Sequence, residues 1–254
     1  EEVSAVLFHE NEFQLRTMRN TWTADVVIGS FGKRSKLDHE LKRSFISKRS
    51  PYVGVKYHLR SDHPAHVIAL HNFQDGYCGI SQVEGGTANL CYLTHRKNLK
   101  QHKNINEMER AVLFKNPFLK SIFQNADFLF EKPEVINEIS FETKQPVVDH
   151  VLMAGDAAGM ITPLCGNGMA MAIHSAKIVN EWVTRFANGQ IARHQMEQGY
   201  EKEWKQQFAT RLWAGRQIQR LFGSTRASDF AVYLARNVQP VSQFLMRNTH
   251  GQSF

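Results

Sequence analysis

The chain has only three cysteines in 254 residues, Cys78, Cys91 and Cys165. An odd number at wide spacing excludes a disulfide framework and leads us to expect a reducing, cytoplasmic compartment. No C-x-x-C or H-x-x-x-H pattern occurs among its cysteines and twelve histidines, so metal chemistry has little support. No apolar run approaches the roughly 20 residues that a membrane span requires, and no signal peptide opens the chain. There is no internal repeat and no low-complexity linker. The first residue is Glu1 rather than Met, as expected of a cut or processed N-terminus or of a fragment.

What is present suits a packed globule. Hydrophobic residues make up 42% of the chain, with seventeen Phe and four Trp, enough for one large core or two modest ones. The formal net charge of +7 makes anionic partners plausible, among them a dinucleotide and an acidic lipid surface touched peripherally. The basic pairs Lys33-Arg34, Lys42-Arg43 and Lys48-Arg49 lack the interleaved aromatics of single-stranded nucleic-acid grooves, so no nucleic-acid partner is expected.

Residues 4–8 and 12–17 alternate as strands around a break at Glu10-Asn11. Residues 24–29 read as one continuous apolar strand ending in glycine, and 32–50 as an irregular helix or loop. Segments 52–59, 66–73, 76–83 and 87–93 are β-rich, with turns at Ser61-Asp62-His63-Pro64, Asp75-Gly76 and Glu84-Gly85-Gly86. That spacing predicts an antiparallel meander with one face buried. Helical patterning over 105–114 and 116–124 is followed by strands at 134–141 and 151–154. In the last third, Met196, Tyr200, Trp204, Phe208 and Leu212 recur every fourth residue, followed by Ile218, Leu221 and Phe222. This is an amphipathic helix, and its stripe is read as core packing rather than as a membrane or partner surface.

The most informative stretch is VLMAGDAAGMITPLCGNGMAMAIHSA, residues 151–176. It combines a buried strand, Gly155-Asp156, a Gly/Ala-rich turn, and Pro163, Gly166 and Gly168 opening a helix. Glycines there let backbone approach a flat ligand closely. A helix N-terminus stabilises electron density on a bound ring, and a carboxylate at a strand end can accept hydrogen bonds from sugar or polyol hydroxyls. A Rossmann glycine motif fails because Met171 stands at the third glycine, and a ligand-free packing turn would spend many glycines without need.

This stretch resembles the second flavin motif, G-D-A-A-x-x-x-x-P-x-x-G-x-G, of the para-hydroxybenzoate hydroxylase and geranylgeranyl reductase superfamily. The resemblance implies that Asp156, with Gly155 and Ala157, holds the ribityl chain of FAD. It further implies that Pro163, Gly166, Asn167, Gly168 and Met169 pass beside the isoalloxazine. Residues 24–38, ADVVIGSFGKRSKLD, resemble that family's strand followed by G-A-D-G-x-x-S-x-x-R, whose Asp-Gly pair supports both FAD and NAD(P)H. Gly29, Gly32, Arg34 and Ser35 match, but Phe31 stands where the Asp is expected. Of the family's prenyl-reductase motif Tyr-x-Trp-x-Phe-Pro only Tyr77 survives, and the halogenase Trp-x-Trp-x-Ile-Pro is absent.

The implied fold class is α/β (α+β): part of a FAD-binding domain of the glutathione-reductase-2 type, an antiparallel-sheet substrate domain and C-terminal helices. The boundaries read as 1–50 and 148–190 for the FAD-binding part, 51–147 for the substrate domain and 191–254 for the helical end. The implied function is an FAD-dependent monooxygenase or double-bond reductase with NAD(P)H as donor. Its expected substrate is hydrophobic, with isoprenoids and polyketide-like molecules as candidates. The alternative is a degenerate flavoprotein fold serving as a lipid-binding or scaffold module. The family's first motif, G-x-G-x-x-G, has no counterpart here, so the chain reads as incomplete. Flavin chemistry demands no acid–base pair, and no catalytic residue is named. Tyr52, Val55, Tyr57, Phe73, Tyr77, Ile80, Leu90 and Tyr92 would suit either a hydrophobic substrate or a sheet core. Cys78 reads as a small buried hydrophobe more readily than as a site thiol.

Overall fold

A computed structural model of the chain describes residues 1–221 together with 230, 233, 234, 236–240 and 243. It divides into two compact units, one built on residues 1–49 and 140–216, the other on residues 50–139 and the described residues of 217–243. The fold is a mixed α/β one with antiparallel sheets and C-terminal helices.

The first unit opens with β1 (Val3–His9) and β2 (Glu12–Thr17), paired antiparallel. Glu10 and Asn11 both take positive φ, as a two-residue hairpin turn requires. The expected continuous strand over 24–29 is in fact two elements. β3 (Thr21–Ala24) pairs antiparallel with β2, whereas β4 (Ile28–Gly29) leaves that sheet to join another. An apolar run records burial, not the partner to which each residue bonds, so the division was invisible in the pattern. A short helix α1 (Leu37–Glu40) follows, then a 3₁₀ turn at Ser44–Ser47.

The second unit is one sheet covered by helices: β5 (Tyr52–Arg60), β6 (Ile68–Phe73), β7 (Gly76–Gln82), β8 (Ala88–His95), α2 (Arg96–Lys100), α3 (Ile105–Val112), α4 (Pro117–Asn125), β9 (Asp127–Phe128) and β10 (Glu134–Ile139). Strand order is β10-β5-β8-β7-β6. Only β6, β7 and β8 form a meander; β5 bonds to β8, so the 61–67 connection crosses to the far edge. Asn104 and Asn116 start the helices by accepting from the amides of Glu107 and Phe118, each at 2.9 Å.

Alternation sorts this sheet's residues. Val55, Tyr57, Ile80, Leu90 and Tyr92 lie in the core with Met108, Val112, Leu113 and Leu119 of the helices. They were candidates for a substrate-facing surface and are core instead. The opposite face carries the cross-strand row Leu70, Gly79, Cys91 and Lys56. Cys78 is wholly buried on the helix side, and burial pushes its thiol pKa up, in keeping with a packing role.

The chain returns to the first unit with β11 (Val147–Val148) and β12 (Val151–Met153), then α5 (Gly168–Ala187) and α6 (Arg193–Leu221). β12 pairs parallel with β4, Leu152 opposite Ile28 and Met153 opposite Gly29. The predicted stripe of α6 is core: Met196, Tyr200, Trp204, Phe208 and Leu212 all pack with β12 and α5. Phe222, placed on the same stripe by the sequence, lies outside the described residues. No helix among the described residues is long and apolar enough to cross a membrane.

Candidate functional site

Parallel pairing of β4 with β12 brings together the loops that leave their C-terminal ends, which is where ligands sit in open α/β sheets. The Ala154 amide donates to the Gly29 carbonyl at 3.0 Å, closing the ladder just before both loops diverge. Gly155 then turns at φ +60, and a Cβ there would stand 3.3 Å from the Ala172 Cβ of α5. This close approach is what the glycine permits. The Gly155 amide donates to Ser175 Oγ at 3.3 Å. Ser175 lies within 3.3 Å of the Tyr200 hydroxyl, which donates to the Met153 carbonyl. A three-link polar chain thus fastens the end of β12 to α5 and α6.

Asp156 follows, half-exposed, and its carboxylate accepts no hydrogen bond from the described residues. Burial raises its pKa, opposed by the nearby charges of Lys144 and Lys33. Ala157 is buried. Beyond it, Pro163 opens a 3₁₀ turn ending at Gly166, which has φ +63 and open space where a Cβ would be. Asn167 is buried at the start of α5, whose first turn holds no acidic residue. Gly168 is half-buried there, and Met169 is 83% exposed. The eight residues from Gly155 to Met169 singled out by the sequence therefore lie on one turn-and-helix segment of the first unit.

The other loop is arranged differently. Gly32 has φ +80 with nothing near its missing Cβ. Arg34 donates to the Ile46 carbonyl at 3.3 Å. Phe31 packs on the core of the first unit, and its ring would stand 2.9 Å from a Cβ at Gly29. An aromatic ring fills the position at which the resemblance called for a carboxylate. The spacing G-x-x-G-x-x-S-x-x-R places Asp38, not an arginine, at its last position. Asp38 is wholly buried and bonds to Arg43 Nη1 at 2.8 Å.

Sequence reasoning missed that ion pair and its neighbour Lys144. Arg43 donates to the carbonyls of Ala157 at 2.8 Å and Gln145 at 3.1 Å. Lys144 Nζ donates to the carbonyls of Asp156 and Lys33, both at 2.7 Å. No side-chain pattern announces residues whose partners are backbone oxygens far along the chain. Only the opposite charges of Asp38 and Arg43 hinted at them.

No protein-family model matches the chain. Among curated proteins it is 25% identical over 193 residues to the digeranylgeranylglycerophospholipid reductase of Methanosarcina acetivorans, covering 72% of this chain and 45% of that one. It is 32% identical over 74 residues to an uncharacterized protein of Methanocaldococcus jannaschii, covering 29% of this chain and 18% of that one. The chain thus spans less than half the length of these relatives. Of solved structures, a flavoprotein/dehydrogenase from Cytophaga hutchinsonii matches 98% of this chain with 62% of its own, at TM-score 0.74 and 14% identity. Halogenase PltM matches 97% with 54% of its own, at TM-score 0.71 and 14% identity. Klebsiella pneumoniae HpxO, solved with FAD and uric acid, matches 97% with 61% of its own, at TM-score 0.64 and 13% identity. The chain shares the fold of these solved flavoprotein and halogenase structures.

Proposed function

We propose that this chain forms the flavin-contacting and substrate-facing part of an FAD-dependent oxidoreductase. The carrying observation is the segment Gly155–Met169. A carboxylate that accepts no hydrogen bond from the described residues, two left-handed glycines and the start of a 20-residue helix share one segment beside paired parallel strands. That donor set suits FAD. Asp156 would accept hydrogen bonds from the ribityl hydroxyls, and Gly155 with Ala157 would hold the turn. Pro163, Gly166, Asn167, Gly168 and Met169 would line the flat ring, with Gly32 and Arg34 on the neighbouring loop. Amides at the start of α5 would stabilise negative charge there. FAD supplies the redox chemistry, hydride acceptance and delivery toward oxygen or a double bond. The side chains named here bind, orient and exclude water, and none is assigned a proton transfer.

NAD(P)H is the proposed donor, and a hydrophobic molecule the proposed substrate, on the analogy of the curated reductases. Hydroxylation and double-bond reduction both remain within this reading. The visible spectrum of the purified full-length protein is the test. Oxidised-flavin absorbance that NAD(P)H bleaches is expected, and oxygen consumption then separates hydroxylation from reduction. One observation favours a second reading, a non-catalytic lipid-binding or scaffold module: Phe31 covers Gly29 where the family has a carboxylate. A colourless protein that ignores added FAD would put that reading in front.

A further inference from the structure

Two buried cations underlie the candidate site, and flavin binding by the residues above does not account for them. Lys144 is 6% exposed and Arg43 is 5% exposed. Among the described residues their charges meet a single directly bonded carboxylate, Asp38. The Phe45 ring lies against both, 4.5 Å from Lys144 Nζ and 5.1 Å from Arg43 Cζ. Burying an ammonium costs several kcal/mol unless its bonds are well made, so an apolar residue at 144 would serve stability at least as well. What Lys144 alone achieves is geometric. Its two 2.7 Å bonds run to one carbonyl on each loop, Lys33 beyond β4 and Asp156 beyond β12. Arg43 reinforces both sides: its Asp38 partner accepts from the Ser35 amide at 2.7 Å, and its own guanidinium reaches the next carbonyl, Ala157.

We propose that Lys144 is a positioning residue, which fixes the Lys33 loop and the Asp156 turn at one spacing so that they present a single flavin-binding surface. This rests on the flavin reading, but the clamp can be measured without flavin. Hydrogen exchange on the flavin-free full-length protein compares wild type with Lys144→Met. Losing two charge-assisted bonds should speed exchange about tenfold in both loops, residues 29–35 and 154–159. Amides of β1, β2 and α6, and the thermal midpoint, should not change, because relief of the buried charge offsets the lost bonds. A merely structural lysine would lower the midpoint and loosen the whole unit. FAD titration followed by flavin fluorescence and band shape gives the second readout. The variant should bind about tenfold more weakly, with a less structured visible band. Loops that keep their protection, or FAD bound equally well, overturn the clamp. If wild type takes up no FAD, the functional reading fails while the exchange result still decides the clamp. Should Lys144→Met not fold, Lys144→Gln takes its place, and both loops remaining protected there overturns the proposal equally.

Discussion

Gly155 shows how narrowly single residues are constrained at this site. Its φ of +60 excludes most side chains, and the Ala172 Cβ already stands 3.3 Å from where its own would be. Gly155→Ala should therefore destabilise by about 1–2 kcal/mol, combining left-handed strain with a tight contact. Urea denaturation would register the loss, and an unchanged midpoint would show that the turn relaxes freely. Lys144 constrains differently. Burial, then the charge of Arg43, lowers its pKa from the usual lysine range to about 8, against the opposing pull of Asp38 and Asp156. A group that binds its proton less tightly when folded makes stability rise with pH between its folded and unfolded pKa values. From about pH 8 to about 10.5, Lys144 should contribute a gain on the order of 3 kcal/mol. Thiols whose pKa values burial raises, half-buried Cys91 and buried Cys165 among them, push the other way above pH 9. The difference between wild type and Lys144→Met across pH 7–10 therefore isolates the lysine; parallel curves would refute the buried-charge account.

Elements were legible where periodicity and chemistry coincide. The every-fourth-residue stripe of α6 was readable because each of its large apolar side chains falls on one face, and Phe208 is indeed wholly buried. Phe208→Ala should cost about 3–5 kcal/mol in the unfolding free energy; a loss below 1 kcal/mol would mean that the site collapses around the gap. The glycines of residues 155–168 were legible for a related reason, since backbone that must turn left-handed or approach closely selects glycine. The two cores differ in how they hide polar groups. In the sheet unit Glu109 is buried and accepts from both Tyr57 and Tyr92 hydroxyls, at 2.8 and 2.7 Å. Burial raises the Glu109 pKa while those bonds lower it. In the sequence these are three unrelated residues with no sign that they meet, because a helix and two strands must first pack. Glu109→Ala would strand two buried phenols, and roughly 2–4 kcal/mol should be lost. The same blindness explains the split of residues 24–29 and the crossing of β5 to β8. Hydrophobic pattern reports which face is buried, whereas hydrogen-bond partners are chosen by the rest of the chain.

At the scale of the whole molecule, the chain's order is inverted between its two cores. The sheet unit is contiguous over residues 50–139, and β6, β7 and β8 join through short turns. The site unit is assembled from residues 1–49 and 140–216. Its defining contact, Ile28 opposite Leu152, closes a loop of roughly 120 residues, and that closure entropy must be met before β4 and β12 bond. The interactions that reward closure come late as well. Lys144 reaches Lys33, Arg43 reaches Ala157, and Tyr200 reaches Met153, all across long separations. Local contacts form ahead of non-local ones when stabilities are similar. Pulse-labelled hydrogen exchange during refolding should thus protect amides of β7 and β8 first. Amides of β4 and β12 should follow, together with the loops that carry Gly32 and Asp156. Protection of β4 and β12 before the meander would mean that the distant segments are already held together in the unfolded chain. The site would then not depend on late closure, and the clamp at Lys144 would set its geometry without limiting its formation.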